Sequence, residues 1–181
     1  MKRILFSALV ILIGVAAQAQ FTKASLQASG LTCSMCSKAV QKALTGVSFV
    51  EKVQVDIKNQ QYNMIFKAGT VVDFDALSKA VQDAGFSVAS LKVTGNVGTV
   101  TASKDQHVKI GSQYFHFLNA SNQQLSGATS FTIVDKAFVS AKEFKKWSTS
   151  SKMECVKTGK AASCCSKEGL ASNTRIYHVI I

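Results

Sequence analysis

Hydrophobic positions recur along this chain in two rhythms, every second residue and every third or fourth, and the switches between them mark out its elements. Thr22, Ala24, Leu26 and Ala28 alternate through 21–29, the period of a strand. From Ser37 the spacing changes: Val40, Ala43, Leu44 and Val47 fall at i, i+3, i+4 and i+7, one stripe of a helix, with Gly46 marking its end. Val53, Val55 and Ile57 return to alternation, and Lys58-Asn59-Gln60 reads as a turn into a second strand through Tyr62, Met64 and Phe66, broken at Gly69. Asp73 is a good N-cap for a second amphipathic helix bearing Phe74, Leu77, Val81 and Ala84, stopped at Gly85. Phe86, Val88 and Leu91 begin a fourth strand. The order strand, helix, strand, strand, helix, strand predicts an α+β fold. It is the ferredoxin-like βαββαβ arrangement, with two helices on one face of a four-stranded antiparallel sheet.

Beyond Thr94 the pattern loosens. Gly95 to Thr101 is small and β-prone, Val108 and Ile110 alternate, and 114–118 is an aromatic strand-like run. Phe131, Ile133 and Asp135 alternate in another. Ser140 and Glu143 have capping-box spacing, placing Phe144 and Trp147 on one face of a short helix. The stretch 148–174, rich in Ser, Lys, Gly and Ala, reads as a long mobile loop, and 175–181 as a closing strand. The expected organisation is therefore a ferredoxin-like domain over 20–94 and a small β-rich domain with one short helix over 95–181. A five-stranded, partly open OB-like barrel is one arrangement for the second.

The first nineteen residues change the compartment. Met1-Lys2-Arg3 is a positive n-region, 4–17 an apolar run, and Ala17-Gln18-Ala19 a small-residue cleavage site. Residues 1–19 thus read as a cleavable signal peptide, and the mature chain as periplasmic or secreted. No second apolar segment is long enough to span a bilayer, so an integral membrane protein is not expected. The formal net charge of +11 is scattered, and Arg3 and Arg175 are the only arginines. That argues against nucleic-acid binding and for a solvated lysine surface that favours acidic partners.

Between the first strand and the first helix stands Gly30-Leu31-Thr32-Cys33-Ser34-Met35-Cys36. Cys33 falls in a loop and Cys36 in the first turn of a helix, so both sulfurs converge near unpaired backbone N–H groups and the positive end of the helix dipole. That setting favours thiolate, the form that binds metal or attacks disulfides. With the helix, strand pair, second helix and Ala84-Gly85-Phe86 that follow, the stretch 21–93 resembles the heavy-metal-associated domain. That family includes copper chaperones, amino-terminal modules of copper-transporting ATPases and periplasmic mercury-binding proteins. The resemblance implies that Cys33 and Cys36 are metal ligands. It places Leu31 in the core beneath the loop, where many members have Met, and Phe86 where Tyr or Lys often lies close to the metal.

Three functions compete for the dithiol. The first is a non-enzymatic carrier that sequesters copper(I), or mercury(II), and passes it by thiolate exchange to a metal-transporting membrane protein or another acceptor. Soft thiolates select soft ions, and two sulfurs satisfy an ion content with two ligands. Lys38 and Lys42 read as solvated helix-face charges and Met35 as a cover for the loop. The second is a thiol–disulfide redox protein, opposed by the absence of any proline to face the pair in cis and of an aromatic residue before Cys33. The third is an interaction module with a structural disulfide, which closes too short a loop to stabilise much.

Cys155, Cys164 and Cys165 lie together in the polar 148–174 stretch, where one disulfide from Cys155 to a neighbour plus a spare thiol competes with a second soft-metal site of three thiols. His107, His116 and His178 are spread through strand-like runs, and His116, between Phe115 and Phe117, reads as the exposed partner of an alternating strand. No Ser/His/Asp arrangement, paired carboxylates or phosphate-binding glycine loop is present, so no catalytic residues are expected.

Overall fold

The computed structural model describes residues 20–181; the expected signal peptide over 1–19 lies outside the described residues. Its first part runs β1 (Gln20–Ser29), α1 (Ser34–Thr45), β2 (Val50–Asp56), β3 (Gln61–Phe66), α2 (Phe74–Asp83) and β4 (Ser87–Ala102). These strands lie in the order β2-β3-β1-β4, all antiparallel, which is the predicted ferredoxin-like sheet. The two helices are held by the local signals the sequence carries. Asp73 caps α2, its Oδ1 accepting from the backbone N–H of Asp75 and Ala76 at 3.0 and 3.4 Å. At the other end Gly85 takes a φ of +87°, its N–H donates to Gln82 and the N–H of Phe86 donates to Val81. This is a Schellman closure, which needs a residue tolerant of the left-handed region and aims Phe86 back toward the sheet.

The second part adds β5 (His107–Ile110), β6 (Gln113–Phe117), β7 (Gln123–Ile133), α3 (Ala141–Ser148), α4 (Cys155–Thr158), a 3-10 helix (Ser163–Glu168) and β8 (Ile176–Ile180). Its strands do not form an OB-like barrel. They extend the first sheet into one of eight strands, β2-β3-β1-β4-β7-β8-β6-β5. The expected division between residues 94 and 95 falls inside β4, a strand of 16 residues. Leu91, Val93 and Val97 continue one inward alternation past that point. Within the small, β-prone stretch Gly95 to Thr101 the strand carries a bulge, where register slips between Asn96 and Thr99 and the N–H of Gly98 donates to Asn96 Oδ1 at 3.0 Å. The outer edge of β4 is covered by β7, whose polar first half carries little strand signal of its own.

One core runs through both parts. Phe21 of β1 meets Phe74 of α2, Phe115 of β6 and Phe131 of β7 at ring separations of 5.0, 5.5 and 5.8 Å. On the opposite face of the C-terminal strands a second, smaller core gathers Leu118, Val134, Cys155, Val156, Cys165 and Ile176. The segment 148–174 therefore is not the expected mobile loop. It folds through α4 and the 3-10 helix into a cover over that face, with Cys155 and Cys165 fully buried. A Ser/Lys-rich composition hid this, because the few apolar residues that anchor the cover are spaced without a period. No helix among the described residues is long and apolar enough to cross a membrane.

Candidate metal centre

Cys33 is the N-cap of α1, in extended conformation at φ −153° and ψ 166°, and its Sγ takes the N-cap oxygen's usual place by accepting from the backbone N–H of Cys36 at 3.4 Å. Cys36 sits one turn in, and the two sulfurs are 2.9 Å apart. The sequence thus placed both thiols correctly, one on the loop and one in the first turn. Gly30, at φ +86°, makes the sharp exit from β1 that aims the loop across the end of α1. A side chain there would meet the ring of Phe86, 3.8 Å from the position of a Cβ. Phe86 and Leu31 both pack half-buried against the main core, which fixes the loop from below.

The electrostatics favour thiolate at Cys36. The Cys33 side chain, followed by the backbone of Thr32, holds the Cys36 thiol below its ordinary value. No acidic residue stands in the first turn of α1 to oppose this. Tyr62 of β3 supports the site from beneath, donating to Ser37 Oγ at 3.0 Å and Ser37 O at 3.3 Å, so the first turn of α1 is pinned to the sheet. The alternation marks Tyr62 only as a strand residue, since nothing local reveals a bond to a residue 25 positions away. Beside the thiols a groove of about 460 Å³ is lined by Cys33, Lys38, Ile57 and Tyr62 among others. Lys38 and Lys42 are exposed, and Met35 is 72% exposed, so it does not cover the loop as expected.

The other chemistry-bearing residues also meet. All three histidines come together in a row across β5, β6 and β8. His107 pairs with His116 and His116 with His178 across the strands, and their ring centroids are 5.0 and 5.2 Å apart. His116 is fully buried rather than exposed, because β6 is an interior strand covered on both faces, Phe115 and Phe117 on one and the 148–174 cover on the other. Burial first, then the neighbouring His178 and His107, lowers its pKa to about 4. Cys155 Sγ lies 3.6 Å from His107 Nε2 and 3.8 Å from His116 Nδ1, and Cys165 Sγ lies 3.7 Å from His107 Nε2. All five cysteines are free thiols, with Cys164 and Cys165 sulfurs 3.5 Å apart.

The description "Heavy-metal-associated domain" matches residues 25–87. A copper-transporting ATPase 1 of Rhizobium meliloti is 36% identical over 66 residues, 36% of this chain and 8% of the relative. A copper-transporting ATPase of Helicobacter pylori is 31% identical over 65 residues, 36% of this chain and 9% of the relative. The chain thus spans under a tenth of the length of these two proteins. Among solved structures, oxidized MerP from Ralstonia metallidurans is 31% identical, over 39% of this chain and 96% of that one, at a TM-score of 0.35. The chain carries a heavy-metal-associated domain at residues 25–87, and the rest of it is covered by no family.

Proposed function

We propose that this protein is an exported carrier that binds a soft metal ion, copper(I) in the first instance, between Cys33 and Cys36 and passes it on by thiolate exchange. The observation that carries the reading is the convergence of two thiols at the solvent-facing start of α1, where one of them is itself the N-cap. Two thiolates around a monovalent ion leave one net negative charge. The free N–H groups and dipole of α1 stabilise it, and the absence of a first-turn carboxylate keeps that field unopposed. An ion held by two sulfurs keeps an open side. An incoming partner thiolate forms its bond there before the Cys33 or Cys36 bond breaks, so transfer proceeds through a three-sulfur state without free ion. The groove beside Cys33, with Lys38 on its wall, offers such a partner a footing. A metal-transporting membrane protein or another thiolate acceptor fits that role, and the matched copper-transporting ATPases support copper over mercury(II) as the ion. Export rests on the leader-like start of the sequence.

Cys33→Ser and Cys36→Ser should each lower copper(I) affinity by orders of magnitude in competition with a chromophoric chelator, with the circular dichroism spectrum unchanged. Affinity equal to that of the parent in both variants overturns the assignment. Matching mercury(II) titrations decide between the ions.

A further inference from the structure

The buried cluster beneath the 148–174 cover is not explained by the dithiol at α1, which lies on a different element. We infer that Cys155, Cys165, His107 and His116 form a second, closed metal site for a divalent d10 cation, zinc(II) being the case tested. The geometry fits. Sulfur-to-nitrogen separations of 3.6, 3.7 and 3.8 Å link the four groups through Cys155 and His107. Ligands sharing a tetrahedral zinc at bonds of about 2.3 Å to sulfur and about 2.0 Å to nitrogen stand about 3.6 Å apart.

The outer contacts fit as well. His107 Nδ1 is 2.6 Å from Glu168 Oε2, which leaves Nε2 to face the sulfurs, and the backbone N–H of His107 donates to the same carboxylate oxygen at 3.1 Å. His116 turns Nδ1 to Cys155 and Nε2 toward Asp105 Oδ1, 3.4 Å away but not aligned for a hydrogen bond. A carboxylate behind each ligating imidazole is the arrangement that orients metal-bound histidine. The bland alternative is a packed core, and it leaves costs unmet. His116 is fully buried, yet neither of its ring nitrogens has a conventional oxygen or nitrogen hydrogen-bond partner. Buried polar atoms are normally satisfied.

Charge selects the ion. Binding a divalent cation displaces two thiol protons to water, and two thiolates, two neutral imidazoles and a 2+ ion sum to zero. The same ligands around copper(I) would bury a net negative charge, which is costly. Cys164 is half-exposed and adds a third thiolate that this balance does not need, so it stays outside the set. With four ligands and full burial the site has no open side, the opposite of the pair at α1; its effect is to pin the 148–174 cover to β5 and β6.

The test uses the full chain, reduced, with Cys33→Ser and Cys36→Ser to silence the first site. Zinc(II) alone should bind at one per chain. Cobalt(II) in its place should show thiolate-to-metal charge transfer and intense tetrahedral d–d bands, and a chelator should lower the melting temperature. Adding Cys165→Ser should abolish stoichiometric binding, whereas Cys164→Ser should leave it at one. Glu168→Gln, a partly exposed change that spares the core, should weaken zinc by about 10–100-fold. No zinc at one per chain, a cobalt spectrum without thiolate charge transfer, copper(I) bound in preference to zinc, or loss of binding on Cys164→Ser with retention on Cys165→Ser overturns the inference. None of these outcomes depends on the dithiol at α1.

Discussion

Cys36 shows how much a single position near a helix start changes a side chain. Its thiol is lowered chiefly by the neighbouring sulfur of Cys33 and then by the backbone of Thr32. Lowering means the thiolate form is present above the depressed value and is lost only as pH falls through it, so Cys36 stays nucleophilic at pH values where an ordinary thiol is protonated. Alkylation rates of the apo protein against pH, followed residue by residue by mass spectrometry, should give Cys36 a midpoint below that of a free cysteine. Cys33→Ala should move the midpoint upward. A midpoint indifferent to Cys33 would mean that the helix end alone sets it. The residue-scale signal was legible, because cap, first turn and spacing are all local. The Tyr62 bond to Ser37 was not, since it joins positions on different elements.

Among elements, α2 and β4 behave differently as texts. Helix α2 announces its own start and stop through Asp73 and Gly85, and the structure uses both. Gly85→Ala should lower stability by about 1 kcal/mol in chemical denaturation, purely from the forced left-handed backbone, since nothing lies within 4 Å of the added methyl. A loss several times larger would point to displacement of Phe86 from the loop it supports. Strand β4 carries its alternation openly from Leu91 to Val97, but the small residues from Gly95 onward read as the start of a second domain. A bulge and a terminus use the same residue, and only the presence of β7 alongside distinguishes them. Burial of His116 was likewise hidden: alternation tells which residues share a face, not whether something covers it.

On the scale of the whole molecule, Arg175 binds the two parts together. Its Nε and Nη2 grip both oxygens of Asp75 on α2 at 2.7 and 2.9 Å, and Nη1 reaches Asp135 Oδ2 at 2.9 Å. Asp135 in turn accepts from His178 at 2.6 Å, and the guanidinium stacks 4.1 Å over Tyr177. Burial opposes the charge on Arg175, and the two carboxylates outweigh it, holding its pKa above the ordinary value. The Asp75 half of the network is 45% exposed and contributes little after solvent screening, whereas Asp135 is 8% exposed. Arg175→Met should therefore cost about 3 kcal/mol, most of it from leaving Asp135 buried without its cation. A single unfolding transition for both parts, lowered as a unit in the variant, is the expected calorimetric result; two separate transitions would contradict the shared core.

The sequence by itself determined the ferredoxin-like half, its caps and the paired thiols at α1, because each rests on contacts within one or two turns of chain. Tertiary structure alone decided that the sheet continues through β4 into eight strands, that the 148–174 segment is a cover, and that residues 39 to 58 positions apart bring sulfur and imidazole together. The physical reason is range. Caps, turns and periodicities are paid in local hydrogen bonds and dihedral preferences, whereas strand neighbours and buried clusters are fixed by which apolar faces find each other once the chain has collapsed.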